Sequence, residues 1–587
     1  MSLITWLPLI SDSKNRGLSN PIITTTGTIA YNNGKLGTAL TFNNTAITLK
    51  PAPLNTNTKE FSFAFWFKPT NTTSSMCIYN GRTEVGAAIS IFRMTANTFR
   101  FDDGAQHTFS YKTVANEWHH FVFTRDESNI RLYVDGVLNQ TIASTSFTCA
   151  TASASIGLSS TSNATPSANP IIGQLNDYRI YDHVLSKREI KELSKGLYLH
   201  LPLDWGGNKN ILPYNPVATN SSEFNTSLGK TVWVRSTTAT GESYIYGGRS
   251  DVVEQSTKYT FSAWIWVNEY VKSVDYYWLS TNTTNKKTGT NFDNITSIGG
   301  KTFTPNQWHY VIWTFTTKAD DYNGFIRIDN NGSKTEGTAA IIKIYDMKVE
   351  KGDKATPYVP HSSDTIYTSK GFGSMFAEDC SGYQKSLNVL NNPLNGGESP
   401  RYSSCTYFDG NNAGLSFTDS SFYSFLNEQF SICFWIKPLN ENGNRSVYFG
   451  SDGNVKFIFS IEKNASNQLR YYWNAGNPDY SNTAFTISDD VWTHIAIVRE
   501  GVNSTKFYKN GSLINTYTTS CSPIGSGGSN FYIGRDNRTG TTAYKGYMSD
   551  FRIYSTPLSA DDIKALCSVS AEIDKNGNMY CSNLVEN

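Results

Sequence analysis

Charge is scarce in this sequence: 17% of its residues are Asp, Glu, Lys or Arg, and the formal net charge is +1. The Lys and Arg residues are scattered, so no basic stripe is available to neutralise a row of phosphates, which excludes nucleic acid as a partner. Long apolar runs are missing as well. No stretch of about 18 apolar residues occurs, so membrane insertion through a helix is not expected. Cysteine is sparse, at eight in 587 residues, and no pair is spaced CxxC. That argues against a disulfide framework and against a thiolate zinc site. The opening Met1-Ser2-Leu3-Ile4-Thr5-Trp6 has neither a basic region nor a sustained apolar one. A cleaved leader is therefore not expected, and folding in a cytosol is. Runs of Ala, Glu, Lys and Leu are also lacking, which disfavours helix bundles.

What is abundant is aromatic residues, at 14%, set among Thr, Ser, Asn and Gly. Strands joined by polar turns fit that mixture. The strongest signal is an internal repeat. FSFAFWFKPTN at Phe61–Asn71 returns as FSICFWIKPLN at Phe430–Asn440, and EWHHFVFTRD at Glu117–Asp126 returns as VWTHIAIVRE at Val491–Glu500. LYVDG at Leu132–Gly136 returns as FYKNG at Phe507–Gly511, and GQLNDYRIYDHVLSKREIKEL at Gly173–Leu193 returns as GYMSDFRIYSTPLSADDIKAL at Gly546–Leu566. The offset stays between 369 and 375 for these blocks, so one unit occurs twice. Cys405, Cys433 and Cys567 align with Ala39, Ala64 and Ser194, which marks cysteine as a small filler here.

Each block has a physical reading. Side chains alternate along a strand, so Phe61, Phe63, Phe65 and Phe67 share one face and Trp66 occupies the other. A strand apolar on both faces belongs between packed layers. Phe430, Ile432, Phe434, Ile436 and Trp435 repeat the pattern, and Trp118 and Trp492 each open a further strand. Asp135-Gly136 and Asn510-Gly511 predict two-residue hairpin turns. Ser186 and Ser559, with Glu189 and Asp562 three residues on, predict capping boxes that start a helix in each copy. Leu185, Ile190 and Leu193 would pin the first of these helices to the sheet.

In this order the motifs resemble the laminin-G-like, concanavalin A-like lectin/glucanase sandwich, in two copies covering about two thirds of the chain. The resemblance implies jelly-roll sandwiches, with ligands and calcium at a rim or on a concave face. The first copy opens with ITWLPLI at Ile4–Ile10 and the second with LYLHLPLD at Leu197–Asp204, but the second copy resumes only near Glu378. An insertion explains the gap, since a domain whose ends lie close together is tolerated there; separate domains in series remain the alternative. The insert carries YTFSAWIWVNE at Tyr259–Glu269, TFTPNQWHYVIWTFTT at Thr302–Thr317 and IIKIYDMKVEKGDKATPYVPH at Ile341–His361. It resembles the jelly-roll carbohydrate-binding modules of glycan-active and bacteriophage proteins.

The predicted fold class is all-β: two concanavalin-like sandwiches plus one smaller jelly roll. The expected domains are 1–196, a discontinuous 197–206 plus 365–568, an inserted 207–364 and a 569–587 tail. Asn576-Gly577 would turn a hairpin in that tail, which is either a docking element or a frayed end.

No catalytic set emerges. The string Glu572-Ile573-Asp574 lacks a further acid on its face and lies outside both sandwiches. No GxSxG elbow and no P-loop occurs. His119 and His120 point to opposite faces of a strand, so they cannot share a metal, and only His120 has a counterpart, His494. No cofactor is expected, with calcium left open through the loop carboxylates Asp102-Asp103-Gly104 and Asp452-Gly453-Asn454; the same residues also make ordinary turns.

A sugar needs an exposed ring to stack on and polar groups for its hydroxyls. Trp233, Tyr246, Tyr276 and Trp278 in the insert, and Tyr472 and Trp473 in the second copy, are the expected carbohydrate-binding residues. Trp264 is read as core instead, because Trp66 and Trp435 hold the matching place in the repeated strands. These features predict a non-enzymatic structural adhesin of a bacteriophage virion: a tail fibre, baseplate or head-decoration protein made in the host cytoplasm. Its expected partners are bacterial surface glycans, other virion proteins and further copies of itself. The alternatives are a secreted or surface bacterial glycan-binding protein and a polysaccharide-degrading enzyme with dispersed carboxylates.

Overall fold

The computed structural model describes residues 3–81, 88–95, 97–149, 152–159, 167–213, 221–228, 230–282, 294–364, 377, 379–381, 383, 385–391, 393–397, 399–402, 404–419, 422, 428–439, 446–451, 459–473, 479–518, 530–536, 543–568, 571–573 and 579–581. The described residues are built mainly from antiparallel strands, and two eight-residue helices stand among them, α1 (Lys187–Ser194) and α2 (Ala560–Cys567).

The first repeat folds as an eight-stranded sheet packed on a seven-stranded one. Strand Phe61–Pro69 runs through the middle of the larger sheet, between His119–Arg125 and Ile172–Tyr181. Phe61, Phe63, Phe65 and Phe67 are fully buried between the sheets, against Phe99, Phe101, Phe121 and Phe123. Each such ring contributes about 1.5–3 kcal/mol through its removal from water. The opposite face is covered as well. Ala64, Val122, Tyr133 and Tyr181 pack there against Leu185 and Ile190, with Leu193 at the edge. The strand is therefore apolar on both faces because α1 adds a third layer.

Local chemistry sets the boundaries. Ser186 accepts a hydrogen bond from the Glu189 amide, and the Glu189 carboxylate accepts one from the Ser186 amide at 2.8 Å, so α1 begins with a complete capping box. Ser559 and Asp562 repeat it at α2. Asp135 and Gly136 have φ of 49° and 83°, and Asn510 and Gly511 have 50° and 78°. Both pairs are thus left-handed, as a type I′ turn requires. Trp118 and Trp492 stand one residue before strands His119–Arg125 and Thr493–Gly501.

The second repeat forms the same eight- and seven-stranded pair. Strand Leu197–Leu201 pairs with Lys545–Tyr554 just as Leu3–Leu7 pairs with Ile172–Tyr181, although 344 positions separate Leu201 from Lys545. Cys405 and Cys433 are buried, like the Ala39 and Ala64 that they replace. In the tail, Ala571–Ile573 pairs with Met579–Cys581; Asp574 and the turn at Asn576-Gly577 lie outside the described residues.

The two sandwiches meet along their helices. Lys191 and Lys195 place their amines 3.2 and 3.1 Å from the Asp562 carboxylate. The Ser555 amide and the Thr556 hydroxyl donate to the carbonyls of Gly196 and Lys195, each at 2.8 Å. Leu36 and Trp66 of the first sandwich join the apolar cluster of the second.

Between Leu201 and the resumption of the second sandwich stands a smaller pair of sheets. The five-stranded sheet runs Ser221–Asn225, Lys230–Thr237, Ala340–Lys351, Lys258–Val267, Trp308–Thr316. The four-stranded sheet runs Ser243–Tyr246, Asp321–Asn330, Val274–Asn282, Asn294–Lys301. Phe261, Ile265, Ile326, Ile328, Ile342 and Ile344 fill the space between them. The two chain passages to the neighbouring sandwich touch, the Asn208 amide donating to the Thr356 hydroxyl at 2.8 Å. Beneath them Lys348 is buried against Glu350, 3.2 Å away, and donates to Thr356 and Pro357. Burial pushes its amine down to about 8, against the pull of Glu350.

Candidate functional site

The five-stranded sheet of the small unit has one face in the core and one towards solvent. Alternation along Lys258–Val267 turns Tyr259, Phe261, Ala263, Ile265 and Val267 inward and leaves Trp264 and Trp266 on the outer face, half-buried. Strand Trp308–Thr316 places Trp308, Tyr310 and Ile312 on the same face, and Ala340–Lys351 adds Tyr345. Register brings these rings together. Tyr310 and Tyr345 are the direct cross-strand neighbours of Trp264, and Trp308 and Lys343 are those of Trp266.

The result is a continuous aromatic floor. Trp264 and Tyr345 lie nearly parallel, 8° apart, with ring centroids separated by 6.0 Å. Tyr310 tilts against Trp264 at 5.2 Å, and Trp308 meets Tyr345 edge-on at 4.7 Å. Tyr310 and Ile312 remain exposed at 43% and 57%. Charged groups border the rings. The Lys343 amine sits 5.2 Å above Trp266 and pairs with Glu223, while Lys230 sits 5.1 Å above Tyr345 and pairs with Asp346. Burial raises the Asp346 carboxyl above its ordinary range, partly offset by Lys230. The Tyr310 and Tyr345 hydroxyls are likewise pushed up by burial, so both keep their protons and can donate. Flat apolar rings edged with donors and acceptors suit a molecule that has both a C–H face and many hydroxyls.

The residues expected from the sequence fall elsewhere. Trp278 and Tyr276 do share a strand face, but it is the inner one: they are 1% and 2% exposed, and Trp278 stacks on Phe315. Neither can present a ring to a ligand. Trp233 packs against the same core from the five-stranded sheet. Tyr246 lies on the outer side of the four-stranded sheet beside Tyr244, at 5.0 Å, and the Arg327 guanidinium covers Tyr244 and Tyr277 at 5.2 and 4.5 Å. Tyr246 and Trp278 are therefore on opposite faces of one sheet. Tyr472 and Trp473 belong to strand Gln468–Trp473, and their side chains lie outside the described residues.

Trp264 is the main correction in the other direction. The analogy with Trp66 and Trp435 places it in the core, yet its face lacks the third layer that α1 and α2 supply in the two larger sandwiches. The signal was present: no capping box follows the last strand of the small unit, whereas one follows the last strand of each repeat.

The other polar candidates are engaged internally. The Asp103 carboxylate receives the Arg125 guanidinium at 3.2 Å and the Ser144 hydroxyl at 2.9 Å, and lies 3.0 Å from His107. Asp452–Asn454 lies outside the described residues. Among the described residues no group of three or more His, Cys, Asp or Glu is placed to hold a metal ion. His120 is buried on Trp66, while His119 faces outward and pairs with Asp135 at 2.7 Å.

Comparisons with known proteins agree with the repeat. No curated protein matches the sequence. Solved structures similar to parts of the chain include domain 4 of a GH43 extracellular arabinanase from Geobacillus stearothermophilus, in complex with arabinotriose: 21% identity, 33% of this chain and 98% of that one, TM-score 0.28. Another is the CBM40 of an IT-sialidase from Ruminococcus gnavus bound to sialyllactose: 19% identity, 28% of this chain and 96% of that one, TM-score 0.24. A third is a pentraxin from Limulus polyphemus: 23% identity, 24% of this chain and 70% of that one, TM-score 0.20. The family model described as the concanavalin A-like lectin/glucanases superfamily matches residues 41–191 and 409–564. Those two segments are the repeated sandwiches and make up more than half of the sequence, so the chain belongs to the concanavalin A-like lectin/glucanase superfamily.

Proposed function

We propose that this protein is a non-enzymatic glycan-binding adhesin, and that its ligand lies across the outer face of the five-stranded sheet. The observation that carries this reading is the row Tyr310–Trp264–Tyr345, three rings in register on adjacent strands, of which Tyr310 is exposed, Trp264 half-buried and Tyr345 buried beneath Lys230. A saccharide would stack its C–H faces on Tyr310 and Trp264, with Tyr345 supporting Trp264 from the side, and its hydroxyls would reach Tyr310, Lys343, Glu223, Lys230 and Asp346. The arabinanase domain and the sialidase module named above are described as bound to sugars, which is in keeping with this reading.

The biological setting we favour is the surface of a bacteriophage particle, with the unit at 207–364 inserted in the second sandwich and held outward towards bacterial glycans. Several copies on one particle would make weak sites effective through avidity. A glycan array of bacterial cell-wall and capsular polysaccharides, screened with the full chain, tests the binding. Retention of one glycan class that falls about tenfold in Trp264→Ala and Tyr310→Ala, equivalent to about 1.4 kcal/mol, supports the site. Undiminished binding in both variants would remove it. Release of reducing ends from any bound polysaccharide would overturn the non-enzymatic part of the reading.

A further inference from the structure

A second cleft, of about 760 Å³, opens where the first sandwich meets the second. Its walls include Trp118, His119 and Asp135 from the first sandwich and Glu428 and Gln429 from the second, and Lys35 forms part of its floor. Lys35 occupies the two-residue turn between strands Ala30–Gly34 and Gly37–Asn43. Docking of the second sandwich encloses that turn, leaving Lys35 only 8% exposed, with its amine 5.2 Å above the Trp66 ring. Among the described residues the amine makes no hydrogen bond and no ion pair.

The repeat explains why this is unusual. Lys35 aligns with Arg401, and the carboxylates Asp177 and Asp550 are also counterparts. In the second sandwich Arg401 is fully engaged, with its guanidinium 3.0 Å from Asp550 and a further bond to the Leu566 carbonyl at the end of α2. In the first, the Asp177 carboxylate is already taken by Trp6 and Arg179, at 2.7 and 2.8 Å. Lys35 is left facing the cleft. The other cations of the lining are paired, Lys191 with Asp562 and Lys195 with both Asp562 and Glu192. Asp135 is held by His119 and by the His120 amide. The stem of Lys35 is buried while its amine still opens on the cleft, and burial lowers the affinity of Lys35 for its proton, opposed by the fields of Glu428 and Asp135.

We propose that the inter-sandwich cleft binds a saccharide unit bearing one carboxylate, such as a hexuronic acid, with the carboxylate on the Lys35 amine and the sugar ring against Trp118. One carboxylate satisfies Lys35 at short range. Glu117, Asp135 and Glu428 also line the cleft and would repel a more highly charged ligand, such as a phosphate monoester, more strongly than a single carboxylate. The half-buried Trp118, which carries the Lys68 amine 5.8 Å from its ring and packs against the second sandwich, lends its remaining exposed edge as the apolar wall, and the volume suits one or two sugar rings. This site is separate from the aromatic floor of the five-stranded sheet.

Calorimetric titration of the full chain with a glucuronate-terminated disaccharide, and with its glucose-terminated counterpart, tests the assignment. The expected result is binding of the glucuronate sugar at least tenfold tighter than the neutral one. Lys35→Gln should remove that preference, Lys35→Arg should keep most of it, and the thermal midpoint of each variant reports whether it is folded. The double variant Trp264→Ala/Tyr310→Ala should leave the preference intact; its loss there would assign the carboxylate to the aromatic floor and overturn the proposal. Equal affinity for the two sugars, no binding of either, or an unchanged preference in folded Lys35→Gln would overturn it as well.

Discussion

His120 lies against Trp66 with ring centroids 5.1 Å apart, and neither of its ring nitrogens has a hydrogen-bond partner. The second repeat preserves the contact, His494 against Trp435 at 5.2 Å. Burial pushes the two imidazoles down to about 4 and about 3. A folded-state value below the unfolded one means that protonation opposes folding. The stability associated with neutral His120 is complete above about 6.5 and is lost as pH falls towards 4. Over that interval the loss amounts to about 3 kcal/mol at most, at about 1.4 kcal/mol per pH unit. His120→Phe should therefore melt at a temperature that declines less than wild type between pH 7 and pH 4. Parallel melting curves against pH would refute it.

Trp264 and Trp278 separate binding from folding. Trp278→Ala empties a core site and should cost about 3–5 kcal/mol of stability, read as a lowered denaturant midpoint. Trp264→Ala should cost much less stability yet lose glycan retention. If the two variants exchanged these phenotypes, the assignment of faces would be wrong.

Gly324 leaves room for the same tryptophan. A methyl group there would meet Trp278 Cζ2 at 2.6 Å and Cε2 at 2.7 Å, and Leu279 O at 2.9 Å. Gly324→Ala should destabilise the small unit by about 1–3 kcal/mol through overpacking. Pairing it with Trp278→Phe should recover part of that loss in a double-mutant cycle.

Removing the first capping box through Ser186→Ala should cost about 1 kcal/mol. Its effect should also reach the junction, because α1 carries the Lys191 that meets Asp562. Faster proteolysis between the sandwiches, measured below the melting transition, is the expected readout.

The repeat, the hairpin turns and both capping boxes were legible in the sequence because each rests on local chemistry: a left-handed Gly, a Ser three residues before an acid, a period of two. Which aromatic faces meet solvent was not legible in the same way. Phe61 and Trp66 show that a strand can be apolar on both sides, and so do Ile265 and Trp264. The difference is whether a further layer lies above the sheet, which depends on residues far along the chain. In the first case Ile190 covers the face at Ala64 and the second sandwich covers Trp66, and no described element covers the second case. The face of Trp278 was hidden for the same reason: alternation groups it with Tyr276 without saying which sheet lies opposite.

The touching passages at Asn208 and Thr356 have a mechanical consequence. A part fastened at two adjacent points can rock about the line joining them but cannot spin. Asn395 of the second sandwich, which donates to the Gly207 carbonyl at 3.1 Å, further braces that footing. On the proposed glycan-binding reading, a pull on a chain held at the aromatic floor would be shared between two peptide strands side by side. With both ends at one spot, the unit is also a cassette: another small sandwich with adjoining termini could take its place and leave the pairing of Leu197–Leu201 with Lys545–Tyr554 undisturbed.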